Sequence, residues 1–185
     1  MISRQAIIFK PKIMALGAMA LIVPMPAVAA CSCAAPAAND ACVVGAWTGL
    51  GDGVMSWMAD ENLPIQPVDP PTIAMTFTQD GQFVTEPFEI TFEMAMQGMS
   101  ATGSSDVGAA TGCWQTSGDQ LTLCYDDGGP SQSVTVSVMG MTRQMDDIAP
   151  KIERADMAYS CEGTTLTTTV AVDGHSPVVT TMQRQ

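Results

Sequence analysis

One fourteen-residue segment, GCWQTSGDQLTLCY at residues 112–125, constrains the fold more than any other part of the chain. Gly118 and Asp119 suit the centre of a tight turn, because a two-residue hairpin loop of type II′ needs glycine at its first position. Counting outward from that turn places Cys113 directly opposite Cys124, where the Cα atoms of paired strands lie about 4.5–5.5 Å apart. That separation suits a disulfide bond. The segment therefore predicts an antiparallel hairpin bridged by Cys113 and Cys124.

The same register sorts the side chains of the hairpin into two faces. The apolar face carries Trp114, Leu121, Leu123 and Tyr125, whereas both cysteines share the polar face with Gln115 and Thr122. We therefore expect the bridge on the polar side of the sheet, with Cys42 and Cys161 as the second pair. Two reduced cysteines at symmetric positions are the alternative.

The first thirty residues have the three parts of a bacterial secretory signal peptide. A basic start (MISRQAIIFKPK) precedes an apolar run (IMALGAMALIV) too short to span a bilayer, and small residues (PMPAVAA) lead up to Cys31. We expect residues 1–30 to be removed, residues 31–41 to form a tether and residues 42–185 to form the folded domain. Export to the periplasm or outer membrane is expected, because disulfides form in such oxidising compartments.

The residues Val28-Ala29-Ala30-Cys31 resemble a lipobox, the site at which bacterial lipoproteins are acylated on cysteine and cleaved. The resemblance implies that Cys31 carries lipid and that the protein meets a membrane only through this N-terminal anchor. Cysteine parity favours the alternative, simple cleavage to a soluble exported product, because a lipidated Cys31 leaves an odd number of other cysteines.

The charge of the mature chain excludes a general role in nucleic-acid binding. The sequence has 7 basic and 19 acidic residues, and three of the basic ones, Arg4, Lys10 and Lys12, lie in the signal peptide. Four basic residues against 19 acidic ones leave no basic footprint for phosphates.

Most of residues 42–185 read as short strands with alternating polarity. The most regular is FEITFEMAMQ, which places Phe88, Ile90, Phe92, Met94 and Met96 on one face. The segment GVMSWMADEN has helical spacing and predicts a short helix near the start, whereas GMSATGSSDVGA predicts a Gly/Ser loop. Eight to ten strands joined by successive hairpins predict an all-β fold, a single antiparallel up-and-down barrel of about eight strands.

Two short motifs resemble those of bacterial lipocalin-like barrels. Gly45-Ala46-Trp47 resembles the G-x-W signature on the first strand of lipocalins, and the hairpin at residues 112–125 is similar to a repeated aromatic strand, Gly-Asp turn and L-x-L strand. Arg184 stands where such families have a C-terminal arginine. The resemblance implies an eight-stranded barrel around a small apolar cavity, with Trp47 at the closed end beneath Arg184.

The first function hypothesis is a non-enzymatic binding module for an apolar small molecule. The expected lining consists of alternating apolar residues on neighbouring strands, namely Met75, Phe77, Phe88, Ile90, Phe92, Met94, Met96 and Leu123. The alternative is a structural or protein-interaction module of the envelope, inhibitor-like, that uses loops such as residues 97–111. A third is copper binding by thioethers of two methionine groups, Met94, Met96 and Met99 or Met139, Met141 and Met145.

Catalysis is not expected from this sequence. His175 is the only histidine, and its VDGHSP context predicts a solvated turn. The chain has no G-x-S-x-G elbow, C-x-x-C, H-E-x-x-H, P-loop or calcium-loop spacing. We therefore expect no catalytic residues, no cofactor and no metal.

Overall fold

The structure is a computed structural model that describes residues 39–61, 65–96, 99–146 and 151–185. The predicted signal peptide, Cys31 and most of the predicted tether lie outside these residues. The side chains of Met96 and Met99 also lie outside the described part.

Thirteen strands and one helix make up the described residues. In chain order they are β1 (Gly45–Leu50), α1 (Asp52–Asp60), β2 (Ile65–Pro67), β3 (Thr72–Phe77), β4 (Gln82–Thr85), β5 (Phe88–Met96), β6 (Met99–Val107), β7 (Ala110–Ser117), β8 (Gln120–Tyr125), β9 (Gln132–Val138), β10 (Met141–Met145), β11 (Arg154–Glu162), β12 (Thr165–Val170) and β13 (Val178–Arg184).

Eight of these strands close into an antiparallel barrel, which confirms the predicted fold class. Their order around the barrel is β1-β13-β12-β11-β8-β7-β4-β3, and β1 closes it by pairing with both β13 and β3. The predicted short helix near the start is confirmed as α1.

The other five strands form a separate sheet, ordered β10-β9-β6-β5-β2, which we call the extension sheet. They are inserted between β1 and β3, between β4 and β7, and between β8 and β11. Because neighbouring barrel strands run in opposite directions, all these connections leave from one end of the barrel, the open end. The tight turns between β3 and β4, β7 and β8, and β11 and β12 lie at the other, closed end.

The extension sheet is continuous in register with the barrel along one long hairpin. Thr85 pairs with Ala110 in the barrel, and Phe88 pairs with Val107 in the extension sheet, which is the same register three residues further on. The predicted Gly/Ser loop is therefore wrong for residues 99–107, which form β6. Hydrogen bonding to β5 on one side and β9 on the other overrides the weak strand propensity of its Ser and Gly residues.

The hairpin at residues 112–125 has the predicted register. Cys113 lies opposite Cys124, and Gly118 has a φ of 62° at the turn. Both cysteines are disulfide-bonded, and a bond between these two stays a prediction. They lie on the face predicted for them, opposite that of Trp114 and Leu123, and each is only 5% exposed. Gln82 lies beside them, with its Nε2 3.9 Å from Cys113 Sγ.

The predicted Cys42–Cys161 disulfide is confirmed, with a Cα–Cα distance of 6.0 Å. It ties the segment that precedes β1 to the end of β11.

Inside the barrel, nine side chains form one cluster, each 2% exposed or less: Val43, Trp47, Phe77, Phe83, Trp114, Leu121, Leu123, Leu166 and Met182. Alternation along the strands produces this core, because every second residue faces inward.

Candidate functional site

The closed end of the barrel is sealed by the residues that precede β1. Asn39 hydrogen-bonds to the backbone of Trp114 and Thr116, and the backbone N–H of Asp40 donates to the Thr116 hydroxyl at 2.8 Å. The Tyr159 hydroxyl donates to Asp40 Oδ2 at 3.0 Å. The prediction of a tether up to residue 41 is therefore wrong for residues 39–41, because side-chain hydrogen bonds order the backbone there.

Trp47 and Arg184 meet at this end, as the lipocalin resemblance implies. The guanidinium carbon of Arg184 lies 4.4 Å from the centroid of the Trp47 ring, and its Nη atoms donate to the carbonyls of Cys42 and Val44. The indole N–H of Trp47 donates to the Val43 carbonyl at 2.7 Å. A cation over an indole that is also hydrogen-bonded makes this a structural clamp.

Only glycine fits at position 45 beneath the arginine. A Cβ atom there would lie 2.5 Å from Arg184 Nη1, and the φ of 140° is one that other residues rarely adopt. In the C-terminal hairpin Val170 pairs with Val178 and Leu166 pairs with Met182, so Arg184 falls on the same face as the buried Met182. That register turns Arg184 toward Trp47.

The eight predicted lining residues do not come together in one cavity. Met75, Phe77 and Leu123 face the barrel interior, where Phe77 and Leu123 belong to the packed cluster. The others belong to β5 of the extension sheet: Phe88, Ile90, Phe92, Met94 and Met96. Period-two alternation identifies a covered face but does not say which sheet the strand joins, so it cannot distinguish a residue of the barrel interior from one of the extension sheet.

The open end of the barrel is less completely filled than the closed end. Met75, Tyr125, Ala155 and Met157 are half-buried and pack against the core cluster. The ring of Tyr125 packs edge-on against that of Phe83, with ring centroids 5.3 Å apart, and covers the core cluster on its open side. Burial raises the pKa of the Tyr125 hydroxyl. These four side chains, which we call the mouth residues, are the apolar surface presented at this end.

A groove of about 550 Å³ opens beside Tyr125 at the rim of the barrel. Its other lining residues are Asp126, Asp127, Gly128, Lys151 and Glu153. The Asp126 carboxylate accepts a hydrogen bond from the Thr111 hydroxyl at 2.9 Å. Three carboxylates and one ammonium make the rim acidic.

Helix α1 is fastened to the loop between β12 and β13. Glu61 accepts a hydrogen bond from the Ser176 backbone N–H at 2.9 Å, and its Oε2 lies 2.7 Å from His175 Nδ1. The hydrogen bond with His175 is the main cause of a lowered pKa for Glu61. Trp57 packs edge-on to His175, with centroids 6.1 Å apart. The turn predicted around His175 is thus a contact between two connections at the open end.

The two faces of the extension sheet differ in chemistry. Directly opposed residues share a face, so the face of Phe92 also carries Val136 of β9 and Arg143 of β10, with Gly103 between them. The opposite face is polar, with Glu93, Thr102, Ser137 and Thr142 in one row.

The two methionine groups proposed for copper differ in their backbone register. In the first group Met96 pairs with Met99, and Met94 precedes Met96 by two residues, so the register places all three positions on one face at the end of the β5–β6 hairpin. Met141 and Met145 are four residues apart along a strand, about 13 Å. A Cu(I) site needs thioethers that share one ion, so the spread of the second group along β10 does not favour copper there, whereas copper binding by the first group stays a prediction. The described residues also hold no group of three or more His, Cys, Asp and Glu side chains placed for a metal.

Tyr125 is predicted on the apolar face of its hairpin, but the sequence predicts neither Tyr125 nor Met157 at the mouth, and it does not predict strand β10. Met157, Tyr159 and Cys161 alternate in β11 as regularly as the residues of β5, and that alternation was the available signal. For β10 no such signal exists, because MTRQM does not alternate in polarity.

No helix within the described ranges is both long and apolar enough to cross a bilayer. Comparison with protein-family models found no match to this chain, and comparisons with curated proteins and with solved structures found none either.

Proposed function

We propose that the protein is an exported, non-enzymatic binding module of the cell envelope whose lipocalin-like barrel takes an apolar small molecule at its open end. The observation that carries the proposal is the difference between the two ends of the barrel interior. Nine side chains fill the interior and the closed end is sealed, whereas the mouth residues keep exposed apolar surface. An eight-stranded barrel is just wide enough to hold side chains or one small ligand.

Two contacts support the exported location and the lipocalin-like barrel in this proposal. The Cys42–Cys161 disulfide fits an oxidising compartment such as the periplasm. The clamp of Trp47 and Arg184, with Gly45 beneath it, is the arrangement that the lipocalin resemblance implies. Attachment through lipid on Cys31 is part of the proposal, and the intact mass of the protein purified from its native envelope tests it.

The rim determines which ligands suit the mouth. Asp126, Asp127 and Glu153 repel an anionic head group, and Lys151 offsets only one of these charges. The ligand class is therefore an apolar molecule with a neutral or cationic head. Two methionines at the mouth can adopt several rotamers, which favours broad over narrow selectivity.

The experiment is a titration of the mature protein with the neutral fluorescent probe 1-N-phenylnaphthylamine. Met157→Trp, which fills the mouth, should weaken probe binding at least tenfold. Phe92→Leu is the matched control, because Phe92 lies in the extension sheet and should not touch the probe. An anionic dansyl fatty acid should bind more weakly than the neutral probe.

Absence of saturable binding up to about 100 µM, a concentration far above the affinity of a functional pocket, would remove the ligand proposal. Equal weakening by Met157→Trp and Phe92→Leu would place the probe elsewhere. The protein-interaction alternative would then take its place, since the extension sheet offers a surface for it.

A further inference from the structure

Strand β10 is an edge of the extension sheet that remains open to solvent. It is the last strand in the sheet order, it pairs with β9 alone, and all five of its residues are exposed. An edge strand presents unpaired backbone N–H and C=O groups that can template another strand. This surface is separate from the mouth residues of the barrel.

The register shows which backbone groups point outward. Met141 and Val138 flank a two-residue turn and therefore form a hydrogen-bonded pair. Such pairs alternate along an antiparallel ladder, so the backbone groups of Arg143 and Met145 also bond to β9. The backbone groups of Thr142 and Gln144 therefore point to the free edge. An added antiparallel strand would gain four hydrogen bonds there.

The side chains along this edge have a defined pattern. Met141, Arg143 and Met145 share one face, and the two methionines are 73% and 40% exposed. The hairpin tip adds Met139, which is 80% exposed and has a φ of 50°. It is the one non-glycine residue with positive φ among those described, and such a position favours Gly, Asn or Asp. Its exposure gives no packing reason for a methionine at this position, and its positive φ gives no turn-geometry reason.

Arg143 supplies the charge of this surface. It has no ion-pair partner among the described residues, whereas Arg154 pairs with Asp156 and Arg184 clamps Trp47. On an added strand, the residue opposite Arg143 falls in a non-hydrogen-bonded pair, where side chains come closest. A carboxylate at that position completes an ion pair.

We propose that β10 binds an extended segment of another protein by antiparallel strand addition, and that the segment has the pattern apolar-x-acidic-x-apolar. The acidic residue meets Arg143, and the apolar residues cover Met141 and Met145. A symmetric pair of β10 strands centred on Arg143 would oppose two guanidinium groups, and the acidic charge of the chain repels a second copy. A different protein is therefore the occupant.

The test uses a fluorescein-labelled peptide of sequence Thr-Val-Ser-Glu-Ser-Val-Thr with an amidated C-terminus, titrated into the mature protein by anisotropy. We expect saturable binding and slower amide hydrogen exchange at residues 141–145. The same peptide with Lys in place of the central Glu should bind about fivefold more weakly. Arg143→Glu should reverse that preference.

Two matched variants separate strand addition from nonspecific peptide binding. Gln144→Pro removes an outward N–H without breaking a bond to β9, so it should abolish peptide binding. Lys151→Glu makes the same charge change as Arg143→Glu away from β10 and should leave the preference between peptides unchanged.

Three results would overturn the proposal. The first is no saturation up to about 1 mM, a limit that marks negligible affinity. The second is equal affinity for the Glu and Lys peptides together with full binding to Gln144→Pro. The third is a concentration-dependent dimer that protects residues 141–145 without peptide, which would make a second copy the occupant.

Discussion

Replacing Gly45 with alanine tests whether the closed-end clamp stabilises the barrel. The added Cβ would lie 2.5 Å from Arg184 Nη1, and alanine would have to adopt a φ of 140°. Backbone strain of this kind costs about 1–3 kcal/mol, and overpacking costs about as much again. The middle of the two ranges gives a loss of about 4 kcal/mol in the free energy of unfolding.

The assay is urea unfolding of the oxidised protein, followed by tryptophan fluorescence. With a slope of about 2 kcal/mol per molar urea, the midpoint should fall by about 2 M. Gly118→Ala is the control, because Gly118 also has positive φ but no atom lies within 4 Å of its added Cβ. It should cost about 1 kcal/mol.

A double mutant separates the clash from the strain. In an Arg184→Met background, Gly45→Ala should cost about 2 kcal/mol less than in the wild type, because the flexible side chain can move away. If Gly45→Ala costs no more than Gly118→Ala, or the same in both backgrounds, the close approach of Arg184 to Gly45 is not what requires glycine.

Three further predictions concern other parts of the barrel. Replacing Cys42 and Cys161 together with alanine should lower the free energy of unfolding by about 4–5 kcal/mol, because their loop spans 119 residues, and urea unfolding measures it. Leu166→Ala should cost about 3–5 kcal/mol in the same assay, since Leu166 is fully buried. The contact with His175 lowers the pKa of Glu61 from 4.5, so its stabilising effect is present above pH 4.5 and is lost as the pH falls through the lowered pKa. His175→Ala should therefore lower the melting temperature at pH 6, and the difference from the wild type should shrink as the pH is lowered below 4.5.

The sequence predicted the barrel because local signals and the tertiary structure agree there. Glycine at the turn fixes the register of β7 and β8, and that register alone places Trp114 and Leu123 inside. The contact between Trp47 and Arg184 could also be predicted, because Gly45 and Trp47 form a short motif that resembles the lipocalin signature.

The extension sheet could not be predicted, for a physical reason. Phe88 and Phe92 alternate as barrel residues do, and their strand continues the register of β4 across Glu86 and Pro87. Nothing in the local pattern marks where a strand leaves one sheet and enters another, since pairing with β9 is a long-range choice. For the same reason the sequence could not show that the apolar residues of β5 lie outside the barrel interior.

Closure of the barrel by β1 and β13 has a consequence for the order of folding. Hairpins such as β7–β8 and β11–β12 join residues that are close in sequence and can form early, whereas β1 and β13 join the two ends of the domain. During synthesis from the N-terminus, β1 emerges long before its partner. Trp47 therefore stays uncovered until the last strand arrives with Arg184, and the half-built barrel exposes two free edges in the meantime.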